Sequence, residues 1–293
     1  MTPPTATSVA RNRAAVAEEL RRLLPKMEGL RSVSSIPFEL PVIDRHLPQG
    51  GLSCGSLHEV VPEAGATPAA FGFLVALLAH ISSSSPERGR SAHQASRVGV
   101  RPVHNAPSPD CLWREKILLV LPAYGLRDYG RPHGHGLNAF GLPPHRLILA
   151  ETTHRRDTLW AMEEALHARA VAAVAGVIDQ IDLKTSQRLQ LAAADCGLPL
   201  FLLRSAELLE ASAAATRWRV GAAPAARDRF GLITQARWRL ALERCRNGRT
   251  GEWMVEYDHV AHRFSLAAAL ADPAVSSRTS ETGKHQPSLR RAG

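Results

Sequence analysis

The sequence has few cysteines and no long apolar run. Cys54, Cys111, Cys196 and Cys245 are far apart and form no C-x-x-C pair, so the sequence indicates neither a zinc site nor a disulfide framework, and a reduced compartment fits. No stretch approaches 18 uncharged apolar residues, and the N-terminus lacks the apolar core of a signal peptide. We therefore expect a soluble, cytoplasmic protein without a membrane segment.

Lysine is also scarce. Only Lys26, Lys116, Lys184 and Lys284 stand among the 36 basic residues, which leaves 32 arginines. The net charge of +9 favours an acidic partner such as nucleic acid, because the rigid fork of arginine suits phosphates and carboxylates. A GC-rich coding sequence explains the same arginine excess equally well.

The 293 residues, 45% of them hydrophobic, are enough for one substantial domain with appendages. Residues 1–35 are predicted to hold an N-terminal helix over 10–28, and residues 36–266 are predicted to form the core. Within the core, residues 82–110 are rich in Ser and Pro and poor in large apolar side chains, so we predict a disordered insertion there. Residues 267–293 are predicted to form a flexible basic tail.

From Lys116 onward, short apolar runs alternate with helical patterns. The apolar runs are typical of buried parallel strands, and the helix after the second run is expected to begin at Thr158, with Asp157 or Thr158 as its N-cap. The next helix is expected to end at Gly197. Such alternation predicts an α/β fold, a mostly parallel sheet flanked by helices. The predicted strands are Ile117–Leu121, Leu147–Ala150, Val171–Ile178 and Leu200–Leu203.

After about residue 214 the hydrophobic pattern changes to period two. Alternating residues occur in 216–220, 236–244 and 252–257, with Asn247-Gly248 in the turn between the last two. We therefore predict an antiparallel C-terminal extension of the sheet.

A degenerate phosphate loop is predicted where the first core strand meets the following helix. P-loop proteins need a Gly-rich turn, a lysine for the β and γ phosphates and a Ser or Thr for Mg²⁺. Here the loop retains a single glycine and no lysine is near, so we expect no catalytic residue, no hydrolysis and no cofactor. A loop that merely joins strand to helix is the favoured interpretation. The residues concerned are Pro62, Glu63, Ala64, Gly65, Ala66 and Thr67.

Arginines at period-two spacing suggest a DNA-binding surface on the antiparallel extension. Arg217 and Arg219 lie on one predicted strand and Arg237 and Arg239 on another, while Trp218, Val220, Trp238 and Leu240 face the other way. Such a ladder suits a phosphate backbone, although a solvated sheet face is the favoured alternative.

Two further sets of polar residues are weaker candidates. Asp179 follows an apolar strand, as a Mg²⁺-supporting aspartate would, but a cap or turn role is favoured. His133, His135, His145 and His154 have no carboxylate or cysteine at ligand spacing, so no metal site is predicted.

The residues from Phe38 to Val60, an apolar turn, a Gly-Gly break and a strand, resemble the entry to a RecA-like ATPase core. Several later blocks resemble the ImuA family, the RecA-like component of a bacterial damage-induced mutagenesis cassette. The resemblance spans about 36–266 without the insertion. The blocks lie at 128–142, 157–166, 186–194, 215–220 and 251–258.

The resemblance implies a role in error-prone translesion synthesis during the SOS response. Because the phosphate chemistry of the loop is missing, we expect that role to be accessory and non-enzymatic. The implied partners are ImuB, a polymerase-like protein without catalytic activity, and a DnaE-type error-prone polymerase; contacts with RecA and with DNA are left open. Recombinases of the superfamily carry long loops for strand exchange, whereas Gln180 to Lys184 is short here. Two alternatives remain: a SulA-like inhibitor of cell division, and a divergent DNA-stimulated ATPase that borrows a cation from a neighbouring subunit.

Overall fold

The computed structural model describes residues 34–84, 116–123, 130–206, 210–227 and 229–267. The helix predicted over 10–28, most of the predicted insertion and nearly all of the predicted tail lie outside these residues. Within the described ranges, no helix is both long enough and apolar enough to cross a membrane.

A ten-stranded mixed sheet organises the described chain, in the order β12-β11-β10-β8-β3-β7-β6-β4-β5, with β9 paired to β10. Six neighbouring strands run parallel to one another: β8, β3, β7, β6, β4 and β5. On the other side of β8, β10, β11 and β12 each pair antiparallel with the strand before them in the sheet. Two short strands, β1 and β2, form a separate pair. The strands are β1 Ser35–Ile36, β2 Leu52–Ser53, β3 Leu57–Pro62, β4 Ile117–Pro122, β5 Leu147–Thr152, β6 Ala173–Val177, β7 Leu200–Leu203, β8 Thr216–Ala222, β9 Ala226–Arg227, β10 Ile233–Cys245, β11 Gly251–Asp258 and β12 Arg263–Leu266.

Helices cover both faces of the parallel strands. Helix α2 packs with Trp218 and Trp238 in one hydrophobic core, and α4 and α5 pack in a second core on the opposite face, against residues such as Val120 and Leu202. The parallel sheet, its flanking helices and the antiparallel extension confirm the predicted fold class. The helices are α1 Pro41–Asp44, α2 Thr67–Ser84, α3 Gly134–Ala139, α4 Arg155–Ala168 and α5 Leu183–Cys196.

The ends of three helices differ in how well the sequence predicted them. Helix α5 has Asp182 as its N-cap, whose side chain accepts a 2.8 Å hydrogen bond from the Thr185 amide, and Gly197 (φ +73°) follows its last residue as predicted. Helix α4 begins at Arg155 after His154, so the predicted cap at Asp157 or Thr158 is wrong. Helix α2 continues to Ser84, into the first residues of the predicted insertion, because Ser82 packs inside and contacts Arg146.

Candidate functional site

The predicted phosphate loop is a short turn between β3 and α2. Only residues 63–66 separate the last residue of β3 from Thr67, the first residue of α2. The Ala66 amide donates to the Glu63 carbonyl (2.9 Å), and Gly65 adopts φ +73°. A P-loop needs a longer G-x-x-x-x-G-K turn, whose amides converge on a phosphate. In this turn the Ala66 amide is directed at the protein's own backbone, and so is the Glu63 amide, which donates to Val220 (2.8 Å).

The side chain of Glu63 leaves this turn, crosses β8 and reaches β10. Its carboxylate accepts two hydrogen bonds from Arg239, from Nε at 2.9 Å and from Nη2 at 2.5 Å. The crossing requires Gly221 on β8, since a Cβ at that position would lie 2.3 Å from Glu63 Oε2. The hydrogen bonds from Arg239 hold the pKa of the Glu63 carboxyl below its ordinary value. A carboxylate that stays ionised therefore stands at the turn, where a P-loop presents positive charge.

The four predicted DNA-binding arginines do lie on one face of β8 and β10. Trp218, Val220, Trp238 and Leu240 are buried on the opposite face, as the period-two pattern predicted. We call Arg217, Arg219, Arg237 and Arg239 the arginine ladder. Each member is paired with a carboxylate: Arg217 with Glu59 (2.7 Å), Arg219 with Glu243 (2.5 Å), Arg237 with Glu256, and Arg239 with Glu63 (2.5 Å).

Every arginine of the ladder is thus paired with a carboxylate. Only Arg239 has a side chain that is about half exposed (51%), whereas the side chain of Arg237 is 9% exposed. Proteins gain affinity for nucleic acid when their cations replace the counterions of the phosphates. Here each cation of the ladder already forms an ion pair with a carboxylate. DNA binding by the ladder stays a prediction, and it requires that these ion pairs open.

Sequence reasoning missed a buried charged cluster in β3. Every residue of β3 is buried, and one of them is a glutamate, Glu59. Its carboxylate accepts hydrogen bonds from Arg204 (2.8 Å) and from Arg217 (2.7 Å). The side chains of Glu59 and Arg204 are fully buried. The available signal was a glutamate inside an apolar strand, since a buried charge needs a partner. This triad ties β3 to β8 and to the residue that follows β7.

The remaining polar candidates do not converge on a site. The rings of His133 and His135 lie 5.2 Å apart, but the described part of the chain contains no group of three His, Cys, Asp or Glu side chains placed to hold a metal. Asp179 is exposed just beyond β6, and Asp182, not Asp179, caps the helix that follows.

Together, the central parallel sheet, the strand–turn–helix at the phosphate-loop position and the antiparallel extension define an α/β protein with a RecA-like core. No family model matches the chain. Two curated relatives, both called Protein ImuA, come from two strains of Caulobacter vibrioides, NA1000 / CB15N and ATCC 19089 / CIP 103742 / CB 15. Each is 32% identical over 257 residues, covering 81% of this chain and 90% of the relative. The chain therefore belongs to the ImuA family, the mutagenesis-cassette proteins that its sequence resembles.

Proposed function

We propose that this protein is a non-hydrolytic accessory component of error-prone translesion DNA synthesis in the SOS response. In this role it binds an ImuB-type protein and a DnaE-type error-prone polymerase in the cytoplasm and brings them together by protein contacts. Membership in the ImuA family supports the mutagenesis context. The accessory, non-enzymatic role rests on the geometry of the turn between β3 and α2.

The observation that carries the proposal is the ion pair of Glu63 with Arg239. A triphosphate at this turn would meet an ionised carboxylate, and like charges repel at contact distance. Moving the carboxylate away would break two hydrogen bonds to Arg239 and leave that guanidinium without its partner. The turn contains no lysine. The arginines that reach it, Arg219 at the Pro62 carbonyl and Arg239 at Glu63, are each already paired with a carboxylate.

Nucleotide binding and turnover test the non-hydrolytic role. We expect no Mg·ATP binding in calorimetric titration at millimolar nucleotide, and phosphate release equal to that of a no-protein control, with and without single-stranded DNA. Glu63→Gln removes the carboxylate charge at the turn. Glu163→Gln is the matched control, because it breaks an arginine–glutamate ion pair of the same kind, with Arg188 (2.5 Å), that links α4 to α5. ATP turnover by the wild-type protein that substitutions in 62–67 abolish would contradict the proposal.

Binding to the partners tests the scaffolding role. Full-length protein is mixed with purified ImuB-type protein and with DnaE-type polymerase from the same organism, and complexes are separated by size-exclusion chromatography with light scattering. We expect a ternary complex whose formation needs this protein. Co-purification with the cell-division GTPase instead of the polymerase proteins would favour the SulA-like alternative.

A further inference from the structure

A β-hairpin extends beyond the sheet next to the turn described above. Strand β10 pairs with β8 as far as Trp238 and Ala222, and its first residues pair instead with β9, through Gln235 with Ala226 and Ile233 with Arg227. The last residue of β3, Pro62, is level with Val220, which pairs with Leu240. At about 3.3 Å per residue, the part of β10 before Leu240 therefore reaches roughly 20 Å past the end of β3.

The end of this hairpin, residues 227–232, has a defined conformation in its described residues. The Arg227 guanidinium donates a 2.6 Å hydrogen bond from Nη1 across the loop to the Gly231 carbonyl. Gly231 adopts φ +79°, a conformation that favours glycine. The register of β9 with β10 shifts between Ile233 and Gln235, which adds local twist. These features shape the loop before any partner binds.

The hairpin end presents two large apolar side chains to solvent. Phe230 is 72% exposed and Leu232 is 65% exposed. The Arg229 guanidinium lies 4.7 Å from the centroid of the Phe230 ring. Residues 227–232 contain two arginines and one aspartate in all, so the net charge of the loop is positive. An apolar pair that projects on a preformed, positively charged loop is a typical binding anchor, because burying it on a partner costs little ordering entropy.

We infer that the hairpin end is the anchor by which this protein docks into an apolar pocket, rimmed with carboxylates, on a protein partner of the translesion complex. The inference rests on the proposed scaffolding function and names the surface that performs it. Phe230 and Leu232 fill the pocket, and Arg227 and Arg229 lie over its acidic rim.

The chemistry of the hairpin end favours a protein over a nucleic acid as its partner. A base stacks on an aromatic ring, but Leu232 has no π face to offer one. A protein surface that binds nucleic acid also needs a continuous row of available cations for the phosphates, whereas the neighbouring arginine ladder is paired with carboxylates. An apolar pocket with an acidic rim satisfies the phenylalanine, the leucine and the two arginines together.

Binding of the purified ImuB-type protein and DnaE-type polymerase to full-length variants tests the inference. The double variant Phe230→Ser with Leu232→Ser removes the anchor. The matched control is Trp160→Ser with Leu191→Ser, because these side chains, on α4 and α5, are 62% and 65% exposed. We expect the anchor variant to bind one of the two partners at least about 100-fold more weakly than wild type, and the control to stay within about threefold. Arg229→Glu should weaken the same complex about tenfold and reduce its salt dependence.

The outcomes separate this inference from the proposed function. Unchanged affinity of the anchor variant for both partners overturns the inference and leaves the scaffolding role intact, whereas a wild-type protein that binds neither partner overturns both. Equal weakening in the anchor and control variants overturns it as well, because general surface hydrophobicity then explains the result. Two further measurements on the same variants complete the test. Fluorescence anisotropy measures their affinity for single-stranded DNA, and light scattering of the protein alone measures self-association. A loss confined to DNA affinity, or to self-association, would assign the hairpin to nucleic acid or to a second copy.

Discussion

Acid sensitivity is expected from His58, a fully buried histidine in β3. The Trp218 indole N–H donates to Thr216 Oγ1 (3.1 Å), which leaves the Thr216 hydroxyl to donate to His58 Nδ1 (2.8 Å). On the other side of the ring, Nε2–H donates to the Ser53 carbonyl (3.0 Å). The neutral imidazole therefore satisfies both neighbours, and burial lowers the pKa of His58 to about 4.

The stability that this histidine contributes is lost as pH falls. The unfolded chain takes up a proton near pH 6.5, whereas the folded protein does so only near pH 4, so the folded state loses stability between these values. Between pH 7 and pH 5, the two proton-binding equilibria give a loss of about 2 kcal/mol.

Urea denaturation of wild type and of His58→Gln at pH 7 and pH 5 measures this contribution. Glutamine retains one donor and one acceptor but does not titrate in this range. The variant is expected to be less stable at both pH values, and its free energy of unfolding should fall by about 2 kcal/mol less than that of wild type. Carboxylates titrate in both proteins, and their contribution cancels in this difference. An equal fall in the two proteins would refute the reasoning.

Two further substitutions test the packing around the central strands. Glu59→Gln leaves the Arg204 charge buried beside a neutral amide, so we expect the free energy of unfolding measured in urea to fall by about 3 to 5 kcal/mol. For Glu243→Gln, in the more exposed pair, we expect a fall of less than about 1 kcal/mol. Similar losses in the two variants would be inconsistent with a buried triad. Gly176→Ala places a Cβ 2.3 Å from the Met162 sulfur and should cost about 1 to 3 kcal/mol. Because Met162→Ala removes that contact, the double variant should lose less stability than the two single variants together, and strict additivity would count against the clash.

Local patterns predicted the strands better than they predicted the helix ends. Leu200–Leu203 was placed without error, because a continuous apolar run bounded by Pro and Arg has few other interpretations. The start of α4 was misplaced because Asp157 and Thr158 are good capping residues by type. In the structure, Asp157 lies within the first turn, and Thr158 is buried, where its hydroxyl bonds Thr152 at 2.6 Å. A residue type that favours helix N-caps can thus occur inside a helix when its side chain forms a tertiary contact.

The candidate site was predictable in its placement but not in its electrostatics. Period-two spacing correctly put the arginine ladder on one face, since side chains alternate along a strand. Two of the carboxylates that pair with it come from a distant part of the chain: Glu59 is 158 residues from Arg217, and Glu63 is 176 residues from Arg239. Spacing within a strand carries no information about such partners. A count of arginines therefore could not reveal that each arginine of the ladder is paired with a carboxylate in the fold.

The pairing of Glu63 with Arg239 also bears on how a projecting hairpin is held. Arg239 lies on β10, the same strand whose first residues form the hairpin. From Ala236 to its end at Cys245, β10 is paired with β11, with β8 or with both. The ion pair adds a connection from β10 to the turn at the end of β3, across Gly221. The base of the hairpin is thus connected to the end of β3, a strand whose residues are all buried, while Phe230 and Leu232 at the hairpin end are exposed to solvent. A binding element on a rigid support loses less conformational entropy when its partner engages it. Glu63, which in our proposal opposes nucleotide at the turn, thus also helps to hold the strand on which the proposed docking surface depends.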